Sequence, residues 1–123
     1  SRGLGDVYKR QTEGLLSGEA VMITDGNFEQ KVIRSPLPVL LYAWAPWCPT
    51  CRTYMPAIDN YAAAARGKVR VGKLNVEASP GLSAKYHIMS VPFVFIFDSG
   101  RLKESMPGAM QPHELMLKMA PYI

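Results

Sequence analysis

Apolar and polar residues alternate along this chain in short blocks of two kinds, with periods near two and near three and a half. The orderly pattern begins near Ala20, where residues 21–24 form a brief β-branched and apolar run that predicts a strand. Asp25 then stands before a segment to about Arg34 with Phe28, Val32 and Ile33 on one side, which predicts a helix capped by Asp25. Ser35-Pro36-Leu37-Pro38 breaks the chain. Val39–Trp44 is apolar on both alternating faces, the pattern of a central strand covered on both sides. A helix is predicted from Cys48 to about Arg66, with Pro56 inside it as a point of kinking. A strand follows over residues 69–76, and a short helix over 80–86 with Pro80 in its first turn. Residues 93–97 and 102–106 form a hairpin about Asp98-Ser99-Gly100, Gly108 closes its second strand, and residues 111–119 make a final amphipathic helix. The order β-α-β-α-β-α-β-β-α predicts an α/β fold with a mixed central sheet flanked by helices on both faces.

Residues 1–18 show no hydrophobic period and are rich in glycine and polar residues, so they are expected to be a flexible or non-native leader before a domain over 19–123. Within them, residues 6–11 resemble translated adapter sequence. With 123 residues the chain has room for one domain and one core. No apolar run approaches the ~20 residues that a membrane span needs, and no basic-then-apolar signal pattern opens the chain. A membrane partner is therefore not expected. The formal charge is +4, and its carriers, among them Lys31, Arg34, Arg70 and Lys103, are scattered rather than set along one stripe. They read as a solvated basic surface, which argues against nucleic-acid binding. The seven methionines, Met106, Met110, Met116 and Met119 among them, read as core filler.

Only two cysteines are present, at Cys-x-x-Cys spacing in Trp44-Ala45-Pro46-Trp47-Cys48-Pro49-Thr50-Cys51, where a strand turns into a helix. At a helix start the first cysteine lies beside unpaired backbone N–H groups and the positive end of the dipole, both of which favour thiolate. Three residues on, Cys51 falls on the same helix face and within bridging reach, the geometry of a reversible dithiol/disulfide couple. A zinc site that adds His87 and His113 is disfavoured, because these lie at a helix end and a helix start elsewhere in the chain.

The order of elements, with Trp-Cys-x-x-Cys after the second strand, resembles thioredoxin over essentially residues 19–123. Trp44, Ala45, Trp47, Cys48, Cys51 and Pro56 match its active-site segment, and Lys73-Leu74-Asn75 its third strand. Ser90-Val91-Pro92 matches the segment before its cis-proline, and Gly108-Ala109 a loop that faces the cysteines. Leu16-Ser17-Gly18-Glu19 and Val76-Glu77-Ala78 are similar to bacterial thioredoxins that carry an N-terminal zinc ribbon, whose four cysteines are absent here. Two departures from the family stand out. Pro49-Thr50 between the cysteines resembles the thiol reductases of cytochrome c maturation, and Tyr42 stands where thioredoxin has a buried aspartate.

The resemblance implies a protein-disulfide reductase with no cofactor beyond the Cys48–Cys51 pair, monomeric and recharged by a thioredoxin reductase. Cys48 would attack and Cys51 resolve. Trp47, Pro49, Thr50, Val91, Pro92 and Gly108 would bind the substrate strand, with Val91 offering backbone hydrogen bonds and the Val91–Pro92 bond cis. Lys73 is expected either as an electrostatic neighbour of the cysteines or as a buried stem with its amine in solvent. Tyr42 is expected to be a packing residue whose hydroxyl finds a partner. The implied compartment is the cytoplasm, or the periplasm if the N-terminus is truncated. Pro49-Thr50 leaves open a specialised extracytoplasmic exchanger, and a redox-inactive binding module is a further alternative.

Overall fold

Val39–Trp44 (β2) runs through the middle of a sheet because its residues satisfy two cores at once. A computed structural model describes residues 18–123, so the predicted leader lies outside the described residues apart from Gly18. Five strands, Val21–Ile23 (β1), β2, Arg70–Asn75 (β3), Phe93–Asp98 (β4) and Arg101–Pro107 (β5), stand in the order β1-β3-β2-β4-β5. β3 pairs parallel with β1 and β2, while β4 is antiparallel to β2 and β5. The helical segments are Glu29–Ile33 (α1), Pro49–Ala64 (α2), Pro80–Lys85 (α3) and Pro112–Met119 (α4).

Alternation along β2 divides the core. Leu40 and Tyr42 pack with Ile58 and Tyr61 of α2 and with Leu115 and Met119 of α4. Val39, Leu41 and Ala43 face the opposite way, against Phe28, Val32, Leu82, Phe95 and Phe97. A strand with both faces buried carries no polar alternation, which is why the sequence run is continuously apolar. β4 does the same with Val94 and Ile96 on one side and Phe95 and Phe97 on the other. It turns back through Ser99 and Gly100, both at positive φ (54° and 79°), the two-residue hairpin geometry that Gly serves without cost.

The segment after β1 differs from the predicted helix. Thr24 and Asn27 bond each other reciprocally, the backbone N–H of each to the other's side chain (2.7 and 3.2 Å). The helix proper is one π-type turn, closed by the Arg34 N–H on the Glu29 carbonyl at 2.9 Å. Asp25 does not cap it. Its carboxylate instead accepts the N–H groups of Gly81 and Leu82 (3.0 and 2.9 Å) and so caps α3. The nominal cap, Ser79, makes no side-chain bond there.

Two expectations about burial also fail. Arg70 is only 1% exposed, and its guanidinium donates to the Lys31 carbonyl at 3.2 Å, while burial lowers its pKa. The strand start that carries it is covered, so a basic residue there is internal. Met119 and Met110 are core filler, but Met116 is largely exposed, because Leu115 and Met119, one turn apart, form the face of α4 that packs inward and Met116 lies off it.

Candidate active site: the Cys48–Cys51 pair

β2 ends at Trp44 and the chain enters α2 through Ala45-Pro46-Trp47. The Cys48 N–H bonds the Ala45 carbonyl at 3.1 Å and tightens this turn. Cys48 is the N-cap residue of α2, with extended backbone (φ −96°, ψ 106°), and Pro49 follows in the first turn, where its missing N–H costs nothing. The Cys48 sulfur takes the role of a capping oxygen by accepting the Cys51 N–H at 3.1 Å. Arg52, one residue further, reaches back to donate to the Pro46 carbonyl at 2.6 Å, which ties the helix start to the loop before it.

The two cysteines are joined as a disulfide, with Cα atoms 5.3 Å apart. Their burial is graded: Cys51 is fully enclosed, while Cys48 keeps 4% of its surface. Around them pack Ala45, Trp44, Val76 and Val91, so the pair sits in a small apolar nest. The Val91 carbonyl oxygen lies 3.8 Å from the Cys48 sulfur. The Val91–Pro92 bond is cis.

Behind Pro92 lies Gly108, whose N–H bonds the Pro92 carbonyl at 3.0 Å. A Cβ at residue 108 would meet backbone atoms of Phe93 and Pro92 at 3.0 and 3.1 Å, so only glycine fits without moving that segment. On the other flank Trp47 is 63% exposed, and Pro49 and Thr50 are exposed beside it. Trp47, Pro49, Thr50, Val91, Pro92 and Gly108 are thus all at one end of the sheet, grouped around or behind the pair. Met89, two residues before Val91, is 94% exposed.

Tyr42 and Lys73 are paired in register across β2 and β3. The Tyr42 hydroxyl, fully buried, donates to the Cys51 carbonyl at 2.9 Å, and burial pushes its pKa up to about 12. Lys73 forms an ion pair of 2.6 Å with Asp59, a residue that sequence reasoning missed. Asp59 lies eight residues beyond Cys51 on α2, ~12 Å along the helix axis. No local pattern signals it, because its partner Lys73 lies 14 residues on in a different element.

The model of the Thioredoxin family matches residues 19–120. This chain belongs to the thioredoxin family. A chloroplastic M-type thioredoxin of Pisum sativum is 40% identical over 105 residues, which cover 85% of this chain and 61% of the pea protein. A thioredoxin of Rickettsia felis is 36% identical over 94 residues, covering 76% of this chain and 90% of that protein. Thioredoxin 1 of a Nostoc species is 38% identical over 91 residues, with 74% and 85% covered. The chain therefore spans about three fifths of the pea protein and most of the two bacterial ones. A thioredoxin domain with its cysteine pair at disulfide distance is a thiol–disulfide oxidoreductase. Among the described residues, no helix is long and apolar enough to cross a membrane.

Proposed function

We propose that this thioredoxin domain reduces disulfides of a range of protein substrates, with Cys48 as the attacking and Cys51 as the resolving residue. The observation that carries the order of attack is the graded burial of the pair: Cys48, the cap of α2, keeps a small exposed edge, while Cys51 is fully enclosed. In the reduced protein the Cys48 thiolate attacks one sulfur of a substrate disulfide, forming a mixed disulfide and expelling the other substrate sulfur as thiolate. Cys51, deprotonated, then attacks the Cys48 sulfur. The Cys48–Cys51 bond forms, the mixed disulfide breaks, and the second substrate sulfur leaves as thiolate and takes up a proton. Two electrons pass from the domain to the substrate.

The helix start supports the first step, since the Cys51 N–H already points at the Cys48 sulfur and would favour its anion. The Val91 backbone beside that sulfur would hold the substrate strand, and Trp47 with Pro92 would give it an apolar lip. Tyr42 takes no part as a base at neutral pH, because a phenol held near 12 keeps its proton. Lys73 acts through Asp59, whose pairing fixes the ammonium on the α2 side of β3.

The electrons would return from a flavoprotein thioredoxin reductase, and the setting would be a reducing one such as a bacterial cytoplasm. Insulin reduction followed with and without a thioredoxin reductase tests this. Turnover that depends on the reductase supports it, whereas turnover of neither insulin nor reductase refutes it. A second reading, a dedicated exchanger for one partner, is favoured by one observation only. Pro49 and Thr50 are both exposed beside Cys48, where a partner would read them.

A further inference from the structure

The chain leaves α3 through a left-handed turn at His87 (φ 51°), fastened by the Ile88 N–H on the Ser83 carbonyl at 2.9 Å. It then runs directly into Val91, the backbone that faces the Cys48 sulfur. Between this loop and the sheet lies a hollow of about 290 Å³, lined by Tyr86, Ile88 and Met89 on one side and by Phe93, Phe95 and Ser105 of β4 and β5 on the other. Its aromatic rings stand close together: Phe93 and Phe95 are 5.3 Å apart, Tyr86 and Phe95 6.0 Å. Phe93 is only half-buried, and Met89 is open to solvent. No Asp, Glu, Lys or Arg is among the lining residues, so a charged group would lose its hydration there without gaining a partner. An exposed methionine beside accessible aromatic rings is the composition that protein interfaces favour.

We infer that this hollow takes a large apolar side chain of the protein substrate itself, with Met89 at its rim as a specificity-determining contact. The inference rests on the reading of Val91 as the backbone on which the substrate strand docks. Continuity fixes the occupant. Met89 and His87 stand two and four residues before Val91, so an extended strand that pairs at Val91 comes alongside the hollow within about two to four residues of its cysteine. A phenylalanine, leucine or methionine there would bury its surface against Phe93 and Met89, whose unbranched thioether adjusts to each of them. A serine or an aspartate at the same place gains nothing.

The test uses the reduced full chain and eleven-residue peptides with one central cysteine in a serine and glycine background, oxidised to symmetric disulfide dimers. Phenylalanine or aspartate is placed two, three or four residues to either side of the cysteine, and second-order rate constants of reduction are measured. Phenylalanine at one or more of these positions should raise the rate constant about 5- to 10-fold over the parent peptide, the size expected when roughly half of a large apolar side chain leaves water. Aspartate should give no gain. Met89→Ser should bring the ratio of phenylalanine to parent peptide most of the way to one, and Ser105→Phe, which fills the hollow from an exposed strand position, should abolish the preference. A ratio near one in the native chain, or a preference unchanged in both variants, overturns the inference and leaves the reductase reading standing. Failure to reduce any of the peptides overturns both. A dimer of the chain at assay concentration that Ser105→Phe breaks would assign the hollow to a second copy, and that too overturns the inference.

Discussion

The hydroxyl of Tyr42 donates to the backbone carbonyl of Cys51 across 2.9 Å, so the central strand holds the second cysteine through its peptide group and not through its sulfur. A carboxylate at residue 42 could not make that bond in its ionised form, because it has no hydrogen to donate. Tyrosine therefore braces the helix start where an acid would act on a proton. Tyr42→Phe should keep the packing, lose about 1 kcal/mol of stability in denaturant unfolding, and leave the pH profile of disulfide reduction unchanged near neutrality.

Tyr42→Asp should behave differently. It places a carboxylate in register with Lys73 and on the strand beneath Cys51, and so should speed resolution of the mixed disulfide at neutral pH. It also removes a large buried aromatic, at a cost on the order of 2–5 kcal/mol. Single-turnover reduction of a model disulfide, beside an unfolding curve, separates the two effects. A folded variant with an unchanged resolution rate means that Cys51 loses its proton by a route that residue 42 does not touch.

Serine at each cysteine distinguishes their roles. Cys48→Ser should abolish reduction, whereas Cys51→Ser should accumulate mixed disulfides with substrate, visible by non-reducing electrophoresis and mass spectrometry. Stable adducts on the Cys48→Ser protein alone reverse the assignment.

Alkaline stability should report the buried phenols. Burial pushes both Tyr42 and Tyr61 up to about 12 from an ordinary value of 10. The folded state thus binds protons that the unfolded state has released, so the stability that goes with the neutral phenols is complete below pH 10 and lost as pH rises toward 12. The loss is on the order of 2–3 kcal/mol for each phenol. Urea midpoints measured over that range should fall steeply in the native sequence and less so in Tyr42→Phe.

Gly108→Ala should injure both fold and site. Its Cβ would press on the backbone of Pro92 and Phe93, which cannot swing aside as a flexible side chain could. A stability loss of about 1–3 kcal/mol and a raised KM for protein disulfides, with less change for a small reagent disulfide, are expected.

Much of the fold was legible because buried strands and amphipathic helices write their periods into the sequence. β2 and β4 were read correctly from apolar runs, and the Ser99-Gly100 turn from its residues. Cys48, Cys51, Pro92 and Gly108 converge on one end of the sheet as the resemblance implied. What escaped was long-range polar pairing. Asp25 reads locally as a cap for the residues that follow it, and nothing in its neighbourhood says that α3 will take its carboxylate. Arg70 reads as surface charge because its burial depends on how α1 covers the start of β3. Asp59 was hidden for the same reason: Lys73 is 14 residues away in sequence and meets it only after β3 has docked beneath α2.

The Asp25 cap has a dynamic corollary. A six-residue helix cannot nucleate alone in water, and α3 has the two N–H groups at its start fastened to a carboxylate 56 and 57 residues upstream. Any opening that peels β1 and its trailing turn from the edge of the sheet also releases those two amides. Gly81 and Leu82 should then exchange their hydrogens with solvent at the pace set by the sheet edge and not by their own helix, so that two segments distant in sequence form one cooperative unit of local unfolding.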